Sequence, residues 1–423
     1  MSHTVISLIV FFVVYASIIF NIFPRSIIAF AGAVVLILTG VLAPHDMITY
    51  VNWEALGLIL GMFILVQTLK DVGFFDFMST IVLKKTKGVP LLIFFSFALL
   101  AGFLSAFMDS ITVLLFMSTL SIEVARKLKV SPVPFVFSQI TAANIGGSST
   151  LMGDPPNVIL GTGLNITLVQ FVRFVAPLSI FILLLNTAYF IFIYRRSFLG
   201  AKEIDREYLR KLNPYEKVKD LPLMISTLIS FFITVLLLFF HRQINLSVGM
   251  VGIIGASLAL VLSGKKMEHI WGIIEWEVLV FFATLFLVIG ALEKTGVIAS
   301  LSSFIINITS KNVFALKGVL LWFSSLISGV IDNVPFAASM VPILKNISSS
   351  LSSVSLLSLG LLSAFAVDVG GNFTPIGASA NVVGITILDK SGFEVTWIDY
   401  LKSIVPITIL NILVANIYFM FIK

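Results

Sequence analysis

Four aspartates lie within apolar stretches of this chain, where a carboxylate needs a functional explanation. They are Asp109 in FLSAFMDSITV, Asp154 in NIGGSSTLMGDPPNVIL, Asp332 in SLISGVIDNVP and Asp368 in DVGGNFTPIGASANVVG. A carboxylate at membrane depth costs about 2.5 kcal/mol or more unless it is paired, bound or protonated. The four aspartates are therefore predicted to bind and release a proton or another cation.

Hydroxyl, amide and glycine residues surround these aspartates and offer hydrogen bonds to a small polar solute. The predicted solute-binding residues are Ser110, Thr112, Asn144, Gly147, Ser148, Ser149, Thr150, Asn157, Asn333, Gly371, Asn372, Thr374, Ser379 and Asn381. The glycines favour a structural role, because a residue without a Cβ permits close backbone approach. Their amides remain able to contact a solute.

Structural roles stay open for several of these residues. Asp154 precedes two prolines and could cap the half-helix that follows them. Asp109 and Asp332 could likewise cap hairpin tips. The hydroxyls of Thr150 and Thr374 could donate back to the preceding turn of an ordinary membrane helix.

Composition defines the class of protein that must position these residues. The chain has 423 residues, of which 58% are hydrophobic and 11% charged. Apolar runs such as residues 5–20 and 221–240 are long enough to span a bilayer. The first run lacks a cationic start and a cleavage pattern, which indicates a spanning helix rather than a signal peptide. We therefore expect an all-α polytopic protein of the cell membrane.

The residue inventory argues against several other functions. The chain has no cysteine and four scattered histidines, so no metal site is expected. No nucleophile, base and orienting group occur together, and no cofactor fingerprint follows a strand. We expect neither an enzyme nor a nucleic-acid partner, and no cofactor beyond H+ or Na+ as a coupling ion.

The motifs occur twice. Gly147, Thr150 and Asn157 match Gly371, Thr374 and Asn381, each 224 positions later, and Asp109 matches Asp332, 223 positions later. One register held across several motifs predicts two homologous repeats. Their expected bounds are residues 1–194 and 221–423, joined by a charged loop at 195–220 that is predicted to have no core of its own.

Hydropathy and basic residues predict the topology of each repeat. The first half should span the bilayer at residues 5–22, 26–43, 54–69, 131–163 (interrupted) and 171–194. Two further arms, 89–107 and 111–125, meet at Asp109, and their outer ends carry lysine and arginine: Lys84, Lys85, Lys87, Arg126, Lys127 and Lys129. Both ends should therefore face the cytoplasm, which makes the arms a re-entrant hairpin.

Five crossings and one hairpin per half give two inverted repeats. Both termini are then expected outside, with the central loop in the cytoplasm, and this places most of the 27 basic residues inside. The Gly-Gly and Pro-Pro interruptions expose helix ends that attract ions, and they survive only where protein or a watery cavity surrounds them. Such breaks at the midplane are typical of an alternating-access carrier.

At these motifs the sequence resembles the ion transporter superfamily, in particular its arsenite efflux permease and P protein branch, which has a citrate transporter-like domain. The matching stretches are GGSSTLMGDPPNVI (146–159), DNVPFAASMVPI (332–343) and GGNFTPIGASANVVGI (370–385). The resemblance implies two inverted repeats, a scaffold, a mobile transport portion that moves as an elevator, and a homodimer. It places the site at residues 109–112, 145–157, 332–335 and 369–381.

The resemblance also bears on the solute. Sodium-coupled dicarboxylate carriers of this superfamily carry Ser-Asn-Thr signatures, whereas this chain has Asp-Ser-Ile-Thr from Asp109 and Asp-Asn-Val-Pro from Asp332. The leading hypothesis is a proton-coupled transporter of a small inorganic anion or oxyacid, with arsenite or antimonite efflux foremost.

Three alternatives remain open: a cation-coupled di- or tricarboxylate symporter, a sodium/proton antiporter and, less favoured, an anion channel. A separate ATPase subunit also remains open, although the chain itself has no GxxxxGK[ST] segment.

Overall fold

The chain folds into helices alone within the part that the computed structural model describes, residues 2–20, 22–201, 203–264, 272, 274–351 and 353–422. The helices of the first half are α1 (His3–Ile19), α2 (Arg25–Leu38), α3 (Asp46–Tyr50), α4 (Trp53–Asp71), α5 (Phe74–Lys85), α6 (Pro90–Ser105), α7 (Ser110–Leu128), α8 (Val133–Gly147), α9 (Pro155–Gly163), α10 (Leu168–Phe174) and α11 (Ala176–Ile193).

Two short helices and a 3-10 turn follow, and then the second half begins. The short elements are α12 (Arg195–Leu199), α13 (Arg206–Lys211) and the 3-10 turn Pro214–Lys217. The second half contains α14 (Leu221–Phe240), α15 (Val248–Ser263), α16 (Trp276–Lys294), α17 (Val297–Ile308), α18 (Val313–Ser328), α19 (Asn333–Ser350), α20 (Leu356–Gly370), a 3-10 turn (Gly371–Phe373), α21 (Ser379–Lys390) and α22 (Trp397–Phe421).

Within the described residues, six segments are long and apolar enough to cross a membrane: Trp53–Asp71, Ala176–Ile193, Leu221–Phe240, Trp276–Lys294, Leu356–Phe373 and Trp397–Phe421. Large apolar side chains cover the outside of the bundle, such as Leu38 at 80% exposure and Phe421 at 82%. An exposed apolar surface of this kind, on helices long enough to span a bilayer, is typical of a protein that contacts lipid. The predicted fold class, an all-α polytopic membrane protein, is confirmed.

Helix bounds recur between the two halves. Helices α5 and α6 reappear 223 positions later as α17 and α18, with both ends of each helix displaced by the same number. The left-handed glycine that precedes α5, Gly73 at φ 84°, also reappears as Gly296 at φ 79°. The same local sequence features therefore start and stop the helices in both halves.

The loop between the halves, residues 195–220, contacts the first half of the chain, and the expectation that it has no core of its own stays a prediction. Ile204 and Leu209 are buried. The Ile204 N–H donates to the Gly88 carbonyl at 3.2 Å, and Lys84 Nζ donates to the Leu212 carbonyl at 2.6 Å. The loop therefore covers the junction between α5 and α6.

The orientation of the chain in the bilayer stays a prediction. Four basic residues that enter its charge count, Lys202, Lys265, Lys266 and Lys423, lie outside the described residues.

Helices of opposite halves form two crossed pairs. Helix α4 packs along α15, and α2 packs along α16. The first pair depends on glycines, because Gly57 and Gly61 meet Gly249 and Gly252 backbone to backbone. Small residues permit this close approach, which is how helices associate within lipid.

The helices that lead into the two breaks are the most enclosed elements. Every residue of α8 from Pro134 to Gly147 is buried, as is every residue of α20 from Ser358 to Gly370. Because neither helix has a polar outer face, neighbouring helices must cover it on all sides. The irregular backbone at the ends of these helices therefore lies inside protein.

We predict that Gly61→Ala destabilises the protein by about 1 to 3 kcal/mol, because overpacking forces the backbone to move. An added Cβ would overlap the Gly252 carbonyl. Thermal unfolding in detergent measures the effect. Gly200→Ala is the control, since a Cβ there has no neighbour within 4 Å. Equal melting temperatures for the two variants would contradict the glycine contact.

Candidate functional site

Two helices are interrupted inside the protein, and we call these interruptions the first and the second break. Helix α8 ends at Gly147 and α9 begins at Pro155, while α20 and its 3-10 turn end at Phe373 and α21 begins at Ser379. Each break frees backbone groups, and such groups cost several kcal/mol in hydrocarbon when they lack partners. The partners therefore have to come from the protein itself.

Asn157 and Asn381 supply them in the same way. Asn157 Nδ2 donates to the carbonyls of Gly147 at 2.7 Å and Thr150 at 3.1 Å. Asn381 Nδ2 donates to the carbonyls of Gly371 at 2.8 Å and Thr374 at 3.0 Å. We call each asparagine with its two hydrogen bonds an asparagine clamp. The second clamp uses the same atoms as the first in residues 224 positions later, and both asparagines are fully buried.

Thr150 and Thr374 join the breaks to the hairpin turns. The Thr150 hydroxyl donates to the Ala106 carbonyl, and the Thr374 hydroxyl donates to the Gly329 carbonyl. The acceptors lie in the turns after α6 and α18. The alternative that these hydroxyls bond back to their own helices is wrong.

The aspartates of the two hairpin turns are helix caps. Asp109 Oδ1 accepts from the Thr112 N–H at 2.8 Å at the start of α7. Asp332 Oδ1 accepts from the Val334 N–H at 3.2 Å at the start of α19. Capping is therefore a real role for both residues, and it leaves one oxygen of each carboxylate for other contacts.

The other carboxylate oxygen of Asp332, Oδ2, connects the second hairpin turn to the second break and to helix α2. Ser379 Oγ donates to Asp332 Oδ2 at 2.8 Å, and Arg25 Nη1 lies 3.4 Å from the same oxygen. Arg25 also donates to Ser379 Oγ at 3.3 Å. The first residue of α2 thus bridges the second hairpin tip and the second break.

Asp154 does not cap α9 through its side chain, so that alternative is wrong. Its Oδ1 accepts from the Ser110 N–H at 3.0 Å and from Ser110 Oγ at 2.7 Å. Its Oδ2 has no hydrogen-bond partner among the described residues, although only 4% of Asp154 is exposed. A Cβ at Gly147 would overlap this carboxylate, which explains the glycine. The first break therefore binds the first hairpin tip through a carboxylate.

A cavity of about 60 Å³, the tip cavity, lies where these elements meet. Five charged residues line it: Arg25, Asp109, Asp154, Glu275 and Asp332. Ser110, Asn333 and Ser379 add polar groups, so three of the predicted solute-binding residues reach the cavity. With four acidic groups against one guanidinium, the lining favours a proton, a cation or an uncharged solute over a free anion.

The sequence analysis missed Arg25 and Glu275. Each lies at the start of an apolar helix, α2 and α16 respectively, where an isolated charge reads as an interfacial residue. Comparison of the repeats could have identified Arg25, because its counterpart 223 positions later is the uncharged Val248. A charge present in only one repeat is not required by the shared scaffold.

Several predicted residues lie away from the tip cavity. Ser148 Oγ donates to the Ile145 carbonyl, and Ser149 Oγ donates to the Gly146 carbonyl. Others belong to the breaks or caps described above: Thr112, Gly147, Thr150, Asn157, Thr374 and Asn381. Gly371 faces the Asn333 amide, since a Cβ would lie 2.9 Å from Asn333 Oδ1. Solute contact by these residues stays a prediction.

The two breaks also touch each other through side chains. Asn144 Nδ2 donates to Asn372 Oδ1 at 2.8 Å and to Asn381 Oδ1 at 3.0 Å. Asp368 lies beside Asn157 and is fully buried. Neither of its oxygens has a hydrogen-bond partner among the described residues. Of the four aspartates, Asp368 is the one that does not line the tip cavity.

This fold and this site define a polytopic membrane transporter. The solved structure of the YdaH transporter of Alcanivorax borkumensis superposes with a TM-score of 0.57 at 13% identity, covering 86% of this chain and 84% of YdaH. MtrF of Neisseria gonorrhoeae, which represents a class of antimetabolite efflux pumps, superposes with a TM-score of 0.57 at 12% identity, covering 91% of this chain and 83% of MtrF. At these identities the likeness concerns the fold alone.

The chain belongs to the CitMHS family, described as citrate transporter, whose profile matches residues 15–360. A 46 kDa membrane protein of Mycobacterium leprae is 30% identical over 425 residues, covering 98% of both chains. An uncharacterized transporter of Mycobacterium tuberculosis is 28% identical over 423 residues. P protein of Mus musculus is 28% identical over 488 residues, covering 96% of this chain and 58% of P protein. The resemblance to the P protein branch is confirmed.

We predict that Asn157→Leu and Asn381→Leu each destabilise the protein by about 1 to 3 kcal/mol for every buried carbonyl left without a donor. Leucine keeps the branched shape of the asparagine side chain and removes both hydrogen bonds of the clamp. Melting temperatures in detergent report the effect, with the exposed Asn307→Leu as control. Variants that melt with the control would show that the clamps do not hold the breaks.

Proposed function

We propose that this chain is a proton-coupled secondary active transporter of a small inorganic oxyacid, with efflux of arsenite or antimonite as the leading case. The solute occupies the tip cavity, where Ser110, Asn333 and Ser379 offer hydrogen bonds. The aspartates carry the coupling proton. Asp109, Asp154 and Asp332 line the cavity, whereas Asp368 does not.

The size and charge of the tip cavity carry this proposal. A water molecule needs about 10 to 15 Å³ of such volume, so the 60 Å³ available suits a solute of a few atoms. Arsenous acid, As(OH)3, has four non-hydrogen atoms and is uncharged near neutral pH. It would therefore avoid repulsion by the acidic lining, and its hydroxyls could donate to the carboxylates.

Helix lengths support a re-entrant hairpin in each half. Helix α6 has 16 residues and spans roughly 24 Å at the rise of an α-helix, less than the roughly 30 Å of hydrocarbon. Its counterpart α18 also has 16 residues. If α6 enters from the cytoplasmic face and α18 from the outer face, both tips meet at the tip cavity. Two inverted repeats, 1–194 and 221–423, joined by a cytoplasmic loop, follow from this arrangement.

A second candidate, a cation-coupled di- or tricarboxylate symporter, is favoured by the description of the family as citrate transporter. A tricarboxylate is several times larger than the tip cavity and would need a wider conformation. The acidic lining would also have to be neutralised by the accompanying cation. These two demands place the carboxylate symporter second.

Transport in proteoliposomes tests the proposal. A gradient of about one pH unit supplies about 1.4 kcal/mol per proton, which supports roughly tenfold accumulation of an uncharged solute at one proton each. We predict gradient-driven movement of arsenite, and loss of it to the level of protein-free liposomes in the Asp109→Asn/Asp332→Asn variant. Asparagine caps helices as well as aspartate does, so this change removes charge and keeps the turns.

The exposed Asp76→Asn serves as the matched control, since it removes one carboxylate far from the tip cavity. Citrate, phosphate and sodium are tested in parallel. Sodium-driven citrate uptake without arsenite movement would replace the proposal by the symporter. Flux without saturable counterflow would indicate a channel.

A further inference from the structure

The internal repeat provides a reference for one unusual side chain. Asn157 and Asn381 occupy equivalent positions and hold their breaks through equivalent hydrogen bonds. The residue 224 positions after Asn144 is Asp368, at the same spacing. Asn144 and Asp368 are therefore counterparts, an amide in one half and a carboxyl in the other.

In one copy an amide N–H supplies the donor across the breaks. Asn144 Nδ2 donates to Asn381 Oδ1 at 3.0 Å, while Asn381 Nδ2 holds the second break. This donor satisfies an amide oxygen in a residue that is fully buried. The Asn144 amide thus connects the first broken helix to the clamp of the second.

In the other copy the same contact lacks a donor. Within the described residues, neither Asn157 Oδ1 nor either oxygen of Asp368 has a hydrogen-bond partner. The two side chains interact, but Asn157 Nδ2 already donates to two carbonyls, so the amide has no N–H left for Asp368. Both residues are 0% exposed. An ionised carboxylate has only acceptors, so it would face an amide oxygen that also only accepts. Buried unpaired acceptors of this kind are rare and costly.

A proton on Asp368 would supply the donor that this contact lacks. A protonated carboxyl carries one O–H donor, where its counterpart carries an N–H donor. We infer that Asp368 is a proton-binding site enclosed between the two breaks, and that its protonated carboxyl donates to Asn157 Oδ1 in this conformation. No other charged group is needed, and the only one that acts on Asp368 within the described part of the chain is Asp154.

Asp154 connects this enclosed site to the tip cavity. It lines the cavity, its Oδ1 is held by Ser110, and its Oδ2 is unpartnered. A proton that leaves Asp368 converts that residue to a carboxylate, and Asp154 becomes the carboxylic acid. The donor to Asn157 is then lost, so proton release weakens the network around the first clamp. Asp368 is the enclosed proton-binding residue, and Asp154 is the proton-binding residue that faces the cavity.

This inference rests on the proposed proton coupling, but its first test does not require transport. Infrared spectroscopy of the full-length protein in liposomes detects the C=O stretch of a protonated carboxyl in an apolar environment. At neutral pH we expect this band in the native protein, in Asp154→Asn and in Asp109→Asn/Asp332→Asn, and its loss in Asp368→Asn. A band that disappears in either of the other two variants, or persists in Asp368→Asn, overturns the assignment.

Stability provides the second readout. Asp368→Asn installs the amide of the other repeat and mimics the protonated state, so its melting temperature should match or exceed that of the native protein. It should also be insensitive to pH, whereas the native melting temperature should fall as the pH rises, because the unfolded chain releases the proton that the folded protein keeps. Asp368→Leu removes the donor and should melt lower. If Asp368→Asn melts as low as Asp368→Leu, the hydrogen bond does not exist.

Transport then separates this inference from the proposed function. We expect Asp368→Asn to lose the accumulation of solute that a pH gradient drives, although the variant protein is as stable as the native one. An infrared band assigned to Asp368 in a protein whose transport ignores pH would keep the proton site and overturn proton coupling. An absent band with pH-driven transport intact would overturn the proton site and keep the coupling.

Discussion

Backbone groups freed at a helix break must find partners inside the protein, and most of this structure follows from that constraint. Two buried asparagines meet it by donating to two carbonyls each. A clamp of this kind works only where water is excluded, which requires the broken helices to be enclosed on every side. Neighbouring helices enclose α8 and α20, and the threonine hydroxyls bond to the hairpin turns. Both features exclude water from the asparagine clamps.

Comparison of the two repeats distinguishes features that both halves share from charges that occur in one half only. The clamps, the threonine contacts and the capping aspartates recur in both halves, as expected for elements that build the fold twice. The remaining charges do not recur. Asp154 is matched by Ala378, Asp368 by Asn144, and Arg25 by Val248. Because a charge without a structural counterpart is not needed to build the repeat, these three positions mark where the two halves have become specialised.

The tip cavity combines both kinds of residue. Its capping aspartates come from the repeated scaffold, while Arg25 and Asp154 belong to one half only. The resulting lining is acidic, with a single guanidinium that contacts the second tip at 3.4 Å. In the proposed function, an anionic solute in this acidic cavity would need compensating positive charge.

The sequence by itself determined the helical membrane class, the repeated motifs, the positions of both breaks and the four aspartates, because each depends on local composition or on spacing along the chain. It also predicted the arms that meet at Asp109, within a few residues of the observed helix ends. It could not decide between capping and coupling for Asp154, nor find Arg25, because both answers depend on residues far away in the chain. Only the tertiary structure showed that Asp154 binds Ser110, that Arg25 reaches Asp332, and that Asp368 lies apart from the cavity beside Asn157. Hydrogen-bond partners across 40 to 300 positions are set by packing, and no local pattern encodes them.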